Sequence, residues 1–427
     1  MRYCLLFMLC LLGSHFLHAQ VPAIDHIYMK NVHTVKLNQS GNFLSYPVIT
    51  LNAGDHLDLQ FDDLDNDVKN YYYTMDLCNA DWSPSDINRF EYLRGFTENR
   101  ITDYQFSSMA LQKYTHYKLT LPNQDCNPLR SGNYILKVYL DSDTSQLAFT
   151  RRVLIVEGGV TVNGGLAQPI NPKLFYTHQK VNFSLNVKGL NINNPYDQLK
   201  IYVLQNFRWD NCITGLQPMY LKGDVIEYNT ENDCIFPGGK EWRWTDLRNF
   251  HQRTAAAKNQ PDTTNYNSQG NEIRVAPDYN RANQRYEYFK DINGQYLPAM
   301  LDNYDANIEG DYAKVHFTFP APLPFAGYNV YLFGEMTSYE LTDENRLTYN
   351  GQKGAYECTL LLKQGYYSYI YGVVDNQDSK HKLNTELTEG NAWETENNYT
   401  ILVYYRALGS RADQLMSATT WNSLTNR

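Results

Sequence analysis

The run Tyr366-Tyr-Ser-Tyr-Ile-Tyr-Gly-Val-Val374 constrains the fold more than any other stretch of the chain. Successive side chains of a strand point to opposite faces. One face therefore carries Tyr367, Tyr369, Tyr371 and Val373, and the other Tyr366, Ser368, Ile370 and Gly372. A strand with large rings on one side is a strand packed on a second sheet. The same grammar recurs at Tyr71 to Tyr73, Tyr134 to Tyr139, Tyr328 to Phe333 and Ile401 to Tyr405. The chain holds 36 Tyr against 18 Phe and 6 Trp, and no cluster of catalytic groups accompanies these strands. The expected fold class is all-β, as tandem β-sandwiches of Ig-like or early-set type.

At 427 residues the chain exceeds what one core serves, so two or three domains are expected. An apolar fraction of 43% supports packed cores, and a charged fraction of 19% is too low for a disordered chain. The net charge of −9 argues against a nucleic-acid binder, which needs a basic surface to neutralise phosphates, and against docking to anionic lipid headgroups. Met1-Arg2-Tyr3 is a short positive start, Leu5 to Leu12 an apolar core, and Ser14 to Ala19 a more polar end. Residues 1–19 thus read as a cleaved secretory signal peptide. The apolar run is too short for a membrane anchor, which needs about 20 residues. Cys4 and Cys10 leave with it. Cys78, Cys126, Cys212, Cys234 and Cys358 remain, an odd number. Export permits the pairs Cys78–Cys126 and Cys212–Cys234; buried free thiols are the alternative.

Three units follow. Residues 20–157 carry strands at Val32 to Leu37, Leu57 to Phe61, Tyr71 to Leu77, Tyr117 to Leu121, Tyr134 to Leu140 and Arg152 to Val156, and form an N-terminal β-sandwich domain. Glu157-Gly158-Gly159 opens a middle β-rich domain, residues 158–310. Its polar stretch from Thr254 to Gln269 reads as a long exposed loop, and Asp291-Ile-Asn-Gly294 as a tight turn. Residues 311–427 form a C-terminal early-set-like sandwich that includes Tyr399 to Tyr405. The tail after Arg411 reads as a short helix or a frayed end.

The search for chemistry leaves no catalytic, cofactor or metal residue. Asp62, Asp63, Asp65 and Asp67 are the densest acidic cluster. An EF-hand loop from Asp63 needs Gly at its sixth position and Glu at its twelfth, where Val68 and Thr74 stand. The cluster reads as a solvated acidic turn, with an irregular calcium site as the alternative. His116 reads as a hydrogen-bonded structural residue. No zincin spacing, P-loop, nucleophile elbow or C-x-x-C is present. Trp209 with Arg208, and Trp242, Arg243 and Trp244, lie in stretches that mix Arg, Trp and Asp or Asn. Arg stacked on an indole and oriented by a carboxylate is a strong local device. It reads first as an internal strut and second as a partner-binding anchor. The partner-contact candidates are accordingly Trp82, Arg208, Trp209, Trp242, Arg243 and Trp244.

An ordered series of blocks resembles one family, the plug proteins of the Bacteroidota type IX secretion system. The blocks are Tyr46-Pro-Val-Ile49, Phe61-Asp-Asp-Leu64, Cys78 to Ser85, Glu91-Tyr-Leu-Arg-Gly-Phe96, Tyr114 to Tyr117 with Leu121 to Asn123, and Ser131 to Tyr134. They continue with Gln205-Asn206 and Arg208-Trp209, Asp291 with Asn293-Gly294, Lys363 to Tyr367, Thr395-Glu-Asn397, and Val403 to Arg406. The series runs from about Tyr46 to Met416. Leu77 stands where the family often has His, and Met109-Ala110 replaces a polar pair. The resemblance implies a non-enzymatic periplasmic protein that docks on the inner mouth of the outer-membrane β-barrel translocon. It implies that the protein seals the channel while no cargo-carrying partner is engaged, with no cofactor, nucleic acid, membrane insertion or small-molecule substrate. The last unit also resembles the early-set sandwich of glycogen-binding modules, at Gly327 to Gly334, Tyr356 to Leu362 and Gln364 to Tyr371. That likeness gives the alternative, an exported glycan-binding β-sandwich protein, which needs two rings exposed side by side.

Overall fold

The structure, a computed structural model, describes residues 22–250, 261–267, 270–301 and 304–427. The expected signal segment, residues 1–19, lies outside them. The described chain is almost entirely β, as tyrosine-rich alternation requires.

Two sheets face each other in the first body. One has the order His26–Ile27, Leu147–Val156, Gly132–Leu140, Tyr71–Cys78, Asn99–Arg100, with Val48–Thr50 paired to Leu147–Val156. The other has the order Val32–Gln39, Leu57–Asp63, Thr115–Leu121, Asp103–Phe106. Alternation turns Leu57, Leu59 and Phe61 inward from one sheet and Tyr71, Tyr73 and Met75 from the other. Phe61 sits 5.0 Å from the rings of Tyr71 and Tyr117.

The second body pairs a sheet of Thr161–Ala167, His178–Asn186, Val225–Tyr228, Tyr220–Lys222 and Ile235–Pro237 with a sheet of Leu199–Gln205, Asn398–Tyr405 and Gln414–Asn422. Val181, Phe183 and Leu185 meet Ile201, Val203, Ile401, Val403 and Trp421 in its core. The third body is a nine-stranded sheet that folds over itself. Its central members are Gly365–Asp375, Tyr328–Phe333, Arg346–Asn350, Ala355–Lys363 and Tyr312–Pro320; Arg243–Asp246 and Tyr296–Pro298 pair with Gly365–Asp375. Tyr367, Tyr369 and Tyr371 point inward, with Tyr369 5.1 Å from Phe317 and Tyr371 4.7 Å from Phe319.

Sheet membership departs from linear order. Asn398–Tyr405 pairs with Leu199–Gln205, not with the strands after residue 311. Arg243–Asp246 and Tyr296–Pro298, expected in the middle unit, join the third sheet instead. The tail after Arg411 is neither helix nor frayed end: Gln414–Asn422 is a strand, with Leu415, Met416 and Trp421 buried. Alternation marks which face of a strand is apolar, but it does not say which sheet receives that face. The polar stretch read as a loop contains a strand, Pro261–Asn267, at the sheet edge; residues 251–260 and 268–269 of that neighbourhood lie outside the described residues. The five thiols are unpaired, so of the two alternatives that export leaves open the structure has free thiols. Burial pushes Cys126 and Cys234 up to about 12, which makes them inert.

If the last strand holds the second core together, Trp421→Ala will remove about 3–5 kcal/mol of stability, read as a lowered urea midpoint. A change within error would return the tail to a frayed end.

Candidate functional site

Trp82, Arg208, Trp209 and Trp242 lie where bodies meet, and Arg243 and Trp244 lie within the third body. Arg152, from the middle of Leu147–Val156, places its guanidinium 4.7 Å from the Trp82 ring and 4.9 Å from the Trp209 ring. The two indoles touch edge to face at 5.0 Å. Trp82 belongs to the first body and Trp209 to the second, so one cation clamps both. Trp82 is set by its turn, where Ser83 donates its N–H and hydroxyl to Asp81 at 3.0 and 2.6 Å. Trp209 follows a backbone held in an unusual form. Asn206 and Phe207 have φ of 53° and 56°, a region that an aromatic residue adopts only when its surroundings enforce it. Asn206 is held by bonds to Asn397 and Asn398, and Phe207 stacks on Tyr46 of the first body at 4.2 Å.

Arg208 turns the other way. It pairs with Asp210 and lies 4.9 Å from the Phe333 ring and 5.7 Å from the Trp242 ring. Trp242 is buried under the turn at residues 291–294. Gly294 there has φ of +81°, and a Cβ on it would come within 2.5 Å of the Trp242 ring. Only glycine permits both that conformation and that approach.

Arg243 enters the third core. Its guanidinium binds Glu389 at 2.9 Å, Asp278 at 3.2 Å and the Tyr279 carbonyl at 2.8 Å. Arg281 takes the other Glu389 oxygen at 2.8 Å, and the Tyr369 and Tyr371 hydroxyls donate to Asp278 at 2.7 and 3.0 Å. Burial raises the Glu389 carboxyl, but Arg243 and Arg281 outweigh it and hold the group at about 2. Trp244, on the opposite face of its strand, stacks on Tyr366 at 5.5 Å.

The structure thus brings the candidates together, but as internal struts. Arg208, Trp242 and Arg243 are buried; Trp82, Trp209 and Trp244 are half-buried against other residues of the chain. Arg208, Trp242 and Arg243, covered inside the fold, have no face left for a partner. The inward Tyr367, Tyr369 and Tyr371 likewise cannot serve as glycan platforms.

A second junction escaped the sequence reading. Asp62 and Asp63 are not in a solvated turn; both are fully buried at the end of Leu57–Asp63. Asp63 is held by Lys69, Asn31 and Tyr71, and Lys69 also pairs with the exposed Asp65 and Asp67. Asp62 accepts from His116 at 2.6 Å within its own body, and from Lys363 and the Tyr312 hydroxyl of the third body, each at 2.6 Å. Burial raises the Asp62 carboxyl, and Lys363 and His116 more than offset that, so it is held below the usual carboxylate range. No group of three His, Cys, Asp or Glu suited to a metal ion occurs among the described residues. The signals were present in the sequence: Arg151-Arg152 inside an otherwise apolar strand, and Lys363 at the end of one. Charges in such places need buried partners.

The comparisons match this architecture. Residues 32–157 fit the family model described as the type 9 secretion system plug protein first domain. A crystal structure of a hypothetical protein from Parabacteroides merdae is 32% identical, with a TM-score of 0.89 over 94% of this chain and 100% of that one. The chain belongs to the type 9 secretion system plug protein family. No curated protein matches it. The first domain, which the family model matches, is joined to the rest of the chain at both Arg152 and Asp62.

Two tests follow from these charges. Lys363→Met leaves Asp62 short of its cation and is expected to destabilise the fold by about 3–5 kcal/mol, measured by chemical denaturation. Glu389 has a depressed folded value, so its stabilisation is present above the ordinary value of 4.5 and is lost as pH falls toward about 2. Glu389→Gln should therefore flatten the acid limb of the stability profile in that window, at a lower plateau near neutrality.

Proposed function

We propose that this chain is a non-enzymatic periplasmic plug. It docks on the periplasmic mouth of the type IX outer-membrane translocon and closes its channel while no cargo-carrying partner is engaged. Family membership, which associates the chain with type 9 secretion, supports this reading. The signal-like start supports the compartment, and no helix among the described residues is long and apolar enough to cross a membrane.

The observation that carries the proposal is mechanical. Three sandwich-like bodies are interlocked by a chain that enters the third and returns to the second, and by cation struts, from Arg152 at one junction to Lys363 at the other. A stopper has to keep its shape under a neighbouring channel, and it works by shape rather than by a reactive group. Its hold needs an interface of at least about 1,200 Å². It also has to be released, so its preference for the closed translocon is limited to about 5 kcal/mol; beyond that a competing partner could not shift the population.

The test is an affinity pulldown with tagged chain from detergent-solubilised outer membranes, with and without the cargo-carrying partner. A large barrel protein should co-purify, and less of it once the partner is bound. Equal recovery in both conditions, or retention on a glycan array with no barrel recovered, would count against a plug.

A further inference from the structure

Three carboxyl groups meet around Trp242, where the second body joins the third sheet. Glu241 precedes Trp242, Asp291 opens the turn that Gly294 closes, and Glu396 lies just before Asn398–Tyr405. Asp291 accepts from the backbone N–H of Trp242, and from that of Asn293 at 2.7 Å. The Asn293 amide donates to Glu396 at 2.8 Å. Glu241 accepts from the Tyr286 hydroxyl at 2.5 Å and from the Glu396 N–H at 3.3 Å. Asn293 thus links the Asp291 and Glu396 carboxyls, Glu396 also accepts from the Asn422 amide, and the Glu396 and Trp242 backbones bring Glu241 beside them. Glu241 is only 1% exposed, and two buried oxygens at this place, Glu241 Oε2 and Asn293 Oδ1, have no hydrogen-bond partner.

The cations packed around the cluster are committed elsewhere. Arg281 gives its guanidinium to Glu389 and to the Glu241 carbonyl, not to the Glu241 carboxylate. The Lys240 ammonium rests on the carbonyls of Arg281 and Gln284. Arg208 is paired with Asp210, and Arg427 lies over the Trp393 ring, bound to the Ser423 and Glu394 carbonyls. From the flanking elements Tyr46 and Tyr366 face Asp291 as neutral phenols. Glu241 is buried, and Asp291 and Glu396 are half-buried beside it; carboxylates placed so lose hydration and repel one another when ionised. Burial, with Glu396 adding to it, pushes Glu241 up to about 7. Burial, with Glu241 and Glu396 adding to it, pushes Asp291 up to about 7.

We infer that Glu241 and Asp291, with Glu396 beside them, form a proton-operated latch between the second body and the third sheet. A proton held among them locks the turn at residues 291–294 onto Trp242, and its release loosens that junction. The direction follows from linkage. A carboxyl raised in the folded chain gives stability that is full below its ordinary value of 4.5 and is lost as pH rises through about 7. The folded chain holds that proton on the order of 100-fold more tightly than an unfolded one. The latch does not depend on the plug reading: it is a property of the fold and is tested on the isolated chain.

The experiment is thermal unfolding of the full mature chain from about pH 5.5 to about pH 8.5, for the native protein and for Glu241→Gln and Asp291→Asn. The native Tm should fall as pH rises from about 5.5 and level off above about pH 7. Each variant should show a shallower fall and exceed the native Tm at the alkaline end. A parallel profile, displaced equally at every pH, would mean a merely structural role and would overturn the latch. Rescue of the native chain at alkaline pH by calcium chloride would also overturn it, in favour of a cation site. Should a variant not fold, infrared difference spectra of the native chain decide. A protonated-carboxyl band lost between about pH 6 and about pH 8 supports the latch, and its absence refutes it.

Discussion

Strands Asn398–Tyr405 and Gln414–Asn422 complete a sheet that Leu199–Gln205 begins, and the third body has to be inserted between them. The chain crosses from the second body to the third near Gly238 to Trp242 and returns near Asn391 to Asn397. The two crossings lie side by side: Gly239 N–H donates to Asn391, Ala392 N–H to the Gly239 carbonyl, and the Thr395 hydroxyl to the same carbonyl at 2.8 Å. A body held by two adjacent strands of chain cannot swing as one on a single linker can. The third sheet is therefore positioned by covalent topology before any side chain contributes. The same topology delays folding, because the middle sandwich stays open until its last strands are made.

Topology limits the bodies to a small range of arrangements, and buried charges select one. Apolar contact is non-directional, so rings alone would leave neighbouring sandwiches free to slide. A buried Arg or Lys tolerates one geometry, since losing a partner strands a charge in a low-dielectric interior. Both junctions of the first body have such charged groups: Arg152, half-buried between the Trp82 and Trp209 rings, Asp413 of the second body binding Ala80 N–H of the first at 2.9 Å, and Asp62 between His116 and Lys363. Lys36 of the first body reaches Glu335 of the third at 2.5 Å in the same manner. The left-handed Asn206–Phe207 backbone belongs to this class of feature: it is uphill locally and is maintained by the contacts that it makes possible.

This division explains which parts of the molecule the sequence displays. Alternation along a strand is a local property, and Leu57–Asp63, Tyr71–Cys78 and Gly365–Asp375 stand where their patterns place them. Membership of a sheet is a long-range property, decided by which apolar faces meet, so the return of Asn398–Tyr405 to Leu199–Gln205 leaves no local trace. The Trp and Arg candidates carried the signal for a strut but not for its partners. Arg208 and Trp209 are neighbours in sequence yet serve different junctions, because the turn they follow points their side chains apart. Asp62 failed for a related reason. An acidic run looks solvated unless the distant Lys363 and Tyr312 are known to arrive.

The abundance of tyrosine follows from the same economy of buried polar groups. A phenylalanine core would pack these sandwiches equally well, but it would leave the struts without donors. Tyrosine supplies the ring to the core and a hydroxyl to the polar group behind it. Tyr71 donates to Asp63 at 2.8 Å, Tyr312 to Asp62, Tyr369 and Tyr371 to Asp278, Tyr399 to Gln179 at 2.7 Å and Tyr404 to Asn133 at 2.7 Å. Hydrogen bonds to charged acceptors contribute about 1.5–3 kcal/mol each, more than neutral ones. Several of these rings are fully buried, so the phenols are fasteners between apolar layers and ionic joints rather than a recognition surface. A chain that spends its aromatic residues in this way gains rigidity in every layer at once. Its surface is then left to settle what the rigid body fits against.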